Sequence, residues 1–247
     1  DWSTRRGEFG PGTKNPLPDG TASVCLRFSF HEATGDCQGK VTVDNVVLRP
    51  YAPPVHAGWP TDILANVGDL QIRFESRSFW TLYRIDYKGS RLCKDQFGSH
   101  YGSVANFPQV GFIGSGHTEN EDEQVVDLEF SVDGKPVAKP EPEVRCQEIR
   151  LEKTSRIRDL VLHTTVTAKD NRIVEDVTLK AETPTPVSLI YHFMHPWVPT
   201  IAEYLAELPD GTRVEGTFTG DKAQKIDKPT RWSAVYDALT QKGAVTY

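Results

Sequence analysis

Long apolar runs, clustered basic residues and close cysteine pairs are all missing from this sequence, and each absence removes a class of protein. No stretch approaches the roughly 20 apolar residues that a membrane helix requires, so membrane insertion is not expected. The N-terminus lacks the basic-then-apolar order of a signal peptide; any such signal is expected to have been removed or to lie upstream. Lys and Arg number 28 against 34 Asp and Glu, and they gather nowhere into a patch. Phosphate binding depends on such patches to displace counterions, which argues against a nucleic-acid partner. Cys25, Cys37, Cys93 and Cys146 form no C-x-x-C pair, which argues against a zinc-thiolate site. Cys25 and Cys37 bracket a turn-like stretch and either close a hairpin in an oxidising compartment or stay free, and Cys93 with Cys146 is a second possible pair. Uninterrupted helical windows are scarce too, because 19 Gly and 17 Pro break nearly all of them.

What is present is period-two alternation rich in Val, Thr, Ile and aromatics, which predicts an all-β protein. Two strands are expected in TASVCLRFSF (21–30) and KVTVDNVVLR (40–49), followed by a Pro- and Gly-rich stretch, YAPPVHAGWP, that reads as a linker. The boundary falls near residue 57, giving units 1–57 and 58–247. From Asp62 onward strands follow closely: DLQIRFES, FWTLYRIDYKG, QVVDLEFSVDG, VRCQEIRLEKTSRI, DLVLHTTVTAKDN, RIVEDVTLKAE, PVSLIYHFMH and RVEGTFTG. Asp133-Gly134, Asp170-Asn171 and Asp210-Gly211 carry hairpin-turn chemistry. IAEYLAELPDG (201–211) is the one short helix expected. A series of long antiparallel strands predicts a large sandwich.

The run from Thr185 to Trp197 is the most informative for chemistry. Strand alternation groups Val187, Leu189, Tyr191 and Phe193 on one face, expected to be a core stripe, and sends His192 to the other. An imidazole opening onto a cleft there can exchange protons near neutral pH; packed on a sheet, it would simply be satisfied by neighbours. His195, three residues on, is expected to face away from His192, which argues against a shared metal. Trp197 either offers a flat face to a sugar ring or packs into the core. A second candidate is the glycine-rich loop Gly111 to Glu123, which can bring His117 and carboxylates such as Glu119 toward a ligand or be merely an acidic, solvated connection. Arg91, Asp95, His100 and Tyr101 can line the same cleft.

Two resemblances follow from these residues. Gly39 to Leu48, with the spacing G-x-x-x-x-D-x-V-x-L, resembles the closing strand of jelly-roll carbohydrate-binding modules. Asp44 in it is either a hydrogen-bonding strand-end residue or a structural calcium ligand. About fifty residues are too few for a complete jelly roll, so 1–57 is expected to be the C-terminal part of one. Pro186-Val187-Ser188-Leu189-Ile190-Tyr191-His192 is similar to the P-V-N-L-T-N-H phrase of the galactose mutarotase-like family, whose fold is a large antiparallel supersandwich. The resemblance covers roughly 62–247. It implies that His192 acts as general acid on a sugar ring oxygen and that His117 is a second substrate-binding histidine. Tyr191 stands where that family has Asn, and the family's catalytic Glu would lie beyond Tyr247.

The expectation is a carbohydrate-active protein of mutarotase, lyase or glycosidase kind. His192 with His117 or Tyr191 would exchange protons, while Arg91, Tyr101, Glu119, His195 and Trp197 hold the sugar. The alternative is a non-catalytic carbohydrate-binding or structural module. Carbohydrate is the expected partner, along with the remainder of a larger parent chain. No cofactor is expected beyond a structural calcium at Asp44, and the location is extracytoplasmic.

Overall fold

The chain divides into two compact units, Asp1–Pro54 and Val55–Tyr247. A computed structural model describes residues 56, 58–94, 101–116, 119–221 and 227–247. The expectations placed on Cys25, Cys37, Asp44, Asp95, His100 and His117 lie outside the described residues.

The second unit is all-β. Its strands are β1 (Asp62–Val67), β2 (Leu70–Glu75), β3 (Leu82–Tyr87), β4 (Ser90–Cys93), β5 (Gly102–Phe107), β6 (Gly111–Gly114), β7 (Gln124–Val132), β8 (Lys135–Pro136) and β9 (Glu143–Cys146). They continue as β10 (Glu148–Ile157), β11 (Leu160–Lys169), β12 (Arg172–Ala181), β13 (Leu189–Met194), β14 (Glu203–Glu207), β15 (Arg213–Thr217), β16 (Trp232–Asp237) and β17 (Lys242–Thr246). Four sheets result, ordered β4-β3-β2-β1-β9, β12-β11-β10-β7-β8, β13-β5-β6 and β15-β14-β16-β17. All pairings are antiparallel except β1 with β9.

Turn chemistry sets the long hairpins. Asp133-Gly134 has φ of 50° and 75°, and Asp170-Asn171 has 50° and 58°. Two consecutive positive φ values match the twist of the flanking strands, and Asp, Asn and Gly reach them at little cost. Asp170-Asn171 joins β11 to β12 and Arg158-Asp159, with Arg158 at φ 55°, joins β10 to β11; the three ten-residue strands keep unbroken register from Glu148↔Lys169 to Ile157↔Leu160 and from Leu160↔Ala181 to Lys169↔Arg172.

One face of the β7–β12 sheet builds the core, and two other sheets share it. At one end Ile149, Leu151, Phe130, Val166 and Ala168 pack against Ile63, Ile72, Phe74 and Trp80 of the β1–β4 region. At the other end Ile157, Leu160 and Leu162 pack against Ala105, Phe107 and Ile113 of the β13-β5-β6 sheet. Each fully buried aliphatic side chain contributes about 1.5–3 kcal/mol, which fixes both ends firmly. Between them runs a seam.

Three expectations change here. Residues 203–207 form a strand, not a helix, because β14 is paired on both sides, with β15 and β16; two ladders of backbone hydrogen bonds outweigh helix propensity. Leu189, Tyr191 and Phe193 do not form a core stripe, being 40%, 49% and 44% exposed, while Val187 and Ile190 pack on the core. Val187 packs as expected, but the stripe is not covered beyond it: Ile190 of the opposite set also packs on the core, and Tyr191, His192 and Phe193 are all exposed where the strand loses its regular alternation. Cys93 and Cys146 are both buried and free. Burial pushes both thiols up, with Glu175 and Asp86 adding to the effect at Cys93 and Asp133 at Cys146, so both stay protonated and unreactive.

Candidate functional site

The seam crosses two rows of the β10-β11-β12 ladder: Leu151, Val166 and Glu175, then Lys153, Thr164 and Val177. These residues point inward where neither covering sheet fully reaches. A narrow cleft opens there, also lined by Trp80, Thr81, Gly102, Ser103, Ser115 and Phe193. Its free volume is about 10 Å³, room for a single water or a group of that size.

Beneath the cleft lies an ion pair with no exposed side-chain surface. Lys153 Nζ is 2.9 Å from Glu123 Oε1, and it donates to the Phe79 carbonyl at 2.9 Å and to Thr81 Oγ1 at 2.8 Å. Glu123 accepts from Ser115 Oγ at 3.1 Å and from the Gly116 backbone N–H at 3.0 Å. A buried pair survives only when its remaining polar valences are met, and here two of the partners, Thr81 and Ser115, line the cleft while Phe79 and Gly116 adjoin it in sequence. The pair therefore ties β10 to the Phe79–Thr81 turn and to the end of β6.

That wall is strained. Phe79 and Trp80 have φ of 52° and 59°, and Phe193 has 54°, a region bulky side chains rarely enter. Gly102, at φ 70°, has no room for a side chain, since a Cβ would stand 2.7 Å from the Ser115 carbonyl oxygen. Such outliers cost about 1–3 kcal/mol each and persist where surrounding structure over-determines them. The indole Nε1 of Trp80 is buried and has no hydrogen-bond partner among the described residues.

Phe193 belongs to a β-bulge. Tyr191 pairs with Val104 and Met194 with Gly102, leaving His192 and Phe193 together opposite Ser103. The extra residue reverses the alternation that follows. Residues three apart on a regular strand face opposite ways; here both histidines bond to residues that line the cleft, which corrects the expectation that His195 turns away. His192 Nδ1 is 2.7 Å from Ser103 Oγ, and His195 Nε2 is 2.7 Å from Glu175 Oε1. His192 is exposed as a residue while its Nδ1 side is part-buried. Loss of water on that side lowers its pKa from 6.5, so the imidazole is neutral at pH 7 and available to take a proton.

The other expected residues are placed elsewhere. Tyr191 lies on the opposite face of β13, stacked on Phe112 with centroids 6.4 Å apart. Arg91 is ion-paired with Asp86, which Arg84 Nε also holds at 2.8 Å. Tyr101 is a core residue, 1% exposed, with its hydroxyl donating to the Lys94 carbonyl and its ring beside Tyr83. Glu119 is exposed in the loop after β6, apart from the cleft wall. Trp197 is half-buried, packed on the larger core and stacked with His195, so its face is already covered. Among the described residues, no group of three or more His, Cys, Asp or Glu is gathered as metal ligands are.

Glu175 and Lys153 were legible but unread: each is a charge in the inward register of an alternating strand, beside Ile173 and Val177 or Leu151 and Ser155. Ser103 and Trp80 carry no such signal. No protein-family model, curated protein or solved structure matches the chain.

Proposed function

We propose that the chain is a carbohydrate-active protein in which His192 exchanges a proton with a bound sugar, and that the second unit is a supersandwich of the galactose mutarotase-like kind following the end of a jelly-roll module. The observation that carries this reading is the His192 imidazole itself. It is solvent-reachable, neutral at physiological pH and held by Ser103 at the mouth of a strained polar seam. Perturbed titratable groups beside strained backbone are characteristic of working sites rather than of packing. Because the cleft admits only one small group, the sugar ring lies across its mouth. The expected extracytoplasmic location fits such a substrate.

A second reading, a module that binds carbohydrate without altering it, is favoured by the outward Phe112–Tyr191 stack, an open aromatic face of the type that sugar rings cover. Glycan retention and turnover, measured for the native chain and for His192→Ala and Tyr191→Ala, separate the two. Turnover on neutral or uronate-containing glycans that falls at least about 100-fold in His192→Ala supports proton transfer. Unchanged turnover in that variant rejects it. Retention without turnover, lost in Tyr191→Ala, supports the binding module.

A further inference from the structure

The seam brings a hydroxyl and a base into contact. Ser103 is 3% exposed and lines the cleft, with its Oγ 2.7 Å from His192 Nδ1. That separation is within the range at which a base activates a serine. Its backbone is fixed from two sides: the Ser103 carbonyl accepts from the Ser115 N–H at 2.7 Å, and Gly102 before it has no freedom to change. Trp80 is also among the residues lining this cleft; its ring packs edge-on against His56 and Trp59, and its buried indole N–H has no hydrogen-bond partner among the described residues. An orphaned donor in a protein interior costs about 1–3 kcal/mol and calls for an acceptor that arrives from outside.

We propose that Ser103 is a nucleophile for acyl transfer, with His192 as its base and the Trp80 N–H as donor to the oxyanion, and that the substrate is a small acyl ester carried on a sugar hydroxyl. The size of the cleft selects the acyl group. Space for about one water admits an acetyl carbonyl and excludes a long or branched chain. The sugar part of this assignment rests on the carbohydrate reading above; the Ser103–His192 part does not.

The reaction balances without any further reagent. Ser103 Oγ attacks the ester carbonyl carbon as its proton passes to His192 Nδ1, and the resulting oxyanion accepts the Trp80 N–H. The bond from carbon to the sugar oxygen then breaks, and that oxygen takes the proton from His192. Water, deprotonated by the same imidazole, attacks acetyl-Ser103, releases acetate and restores the serine hydroxyl.

The test uses the full chain with a fluorophosphonate probe, peptide mapping by mass spectrometry, p-nitrophenyl acetate, and an O-acetylated cello-oligosaccharide whose acetate release is followed. The expected result is an adduct on Ser103 that forms at least about 100-fold more slowly in His192→Ala, an exposed position whose loss leaves the fold intact. Trp80→Phe, which keeps the ring and removes the N–H, lowers kcat for acetate release about 100-fold. A folded native chain that forms no adduct on Ser103 overturns the proposal, as does an adduct whose rate His192→Ala leaves unchanged. Hydrolysis of p-nitrophenyl acetate through Ser103 with no acetate from the oligosaccharide and no glycan retention keeps the nucleophile and rejects the sugar. Glycan retention with no Ser103 adduct does the reverse.

Discussion

The two ends of the β10-β11-β12 ladder and its middle are built from the same strands yet obey different rules. At the ends, Ile149 and Ala168 or Ile157 and Leu160 meet a covering sheet and are sealed by apolar contact. In the middle the covering sheets part, and the inward positions are Lys153, Thr164 and Glu175. Apolar packing needs only shape and volume, so the ends tolerate exchange; a buried charge needs specific partners, so the middle ties itself to Thr81, Ser115 and Gly116. The buried ion pair and the left-handed backbone at Trp80, Gly102 and Phe193 accordingly adjoin the seam.

The largest effect should come from cutting the middle. Glu123→Ala leaves Lys153 charged in a site with no exposed surface and costs about 3–5 kcal/mol in urea denaturation. Arg156→Ala removes a two-bond partner of Glu182 on the outer face of the same sheet, where both groups are open to water, and should leave the midpoint within error. Equal losses from both would erase the distinction between seam and surface.

A smaller contrast is expected between two glycines at similar φ. Gly134→Ala, at 75° with nothing within 4 Å, bears only the left-handed penalty of about 1–2 kcal/mol. Gly102→Ala, at 70°, adds collisions with the Ser115 carbonyl and Thr81 Cγ2 and should exceed it clearly by the same measurement. Comparable losses would mean that the cleft wall yields.

The smallest effect is the pH dependence of His192. Its folded pKa lies below 6.5 through desolvation, so between that value and 6.5 the unfolded chain binds more protons. Stability contributed at this position is intact above pH 6.5 and is lost as pH falls toward the folded pKa, then levels off. The melting temperature of the native chain relative to His192→Gln should thus decline over that interval and be flat above it. A difference that grows as pH falls through that interval would contradict a desolvated imidazole.

The hairpins were legible because their information is local. Alternating residues decide β7, β10, β11 and β12, helped by the Asp-Gly turn after β7 and the Asp-Asn turn between β11 and β12, without reference to anything distant. The strands β5, β6, β16 and β17 were not read, since short segments such as GSVANF and GFIG carry too little alternation to stand out. His192 was found through its neighbours in sequence. Its partner Ser103 lies 89 residues away and could be found only through a bulge that depends on the pairing of β13 with β5.

Residues 201–211 teach the same lesson from the other side. Ala, Glu and Leu there favour a helix when counted singly, yet Tyr204 packs over Gly216, with the ring against the bare backbone of β15. That contact exists only once both neighbouring strands are in place.

By itself the sequence determined that this second unit is β-structured, where some of its hairpins turn, and which positions share a face in the regular strands β10, β11 and β12, because period-two alternation and positive-φ turns are properties of neighbouring residues. Tertiary structure alone decided which of the two faces is covered, that a bulge swings His195 to the same side as His192, and that Ser103, Glu175 and the Lys153–Glu123 pair meet at one seam. Those outcomes depend on how separate sheets divide a shared surface, and no stretch of chain short enough to read by pattern contains that information.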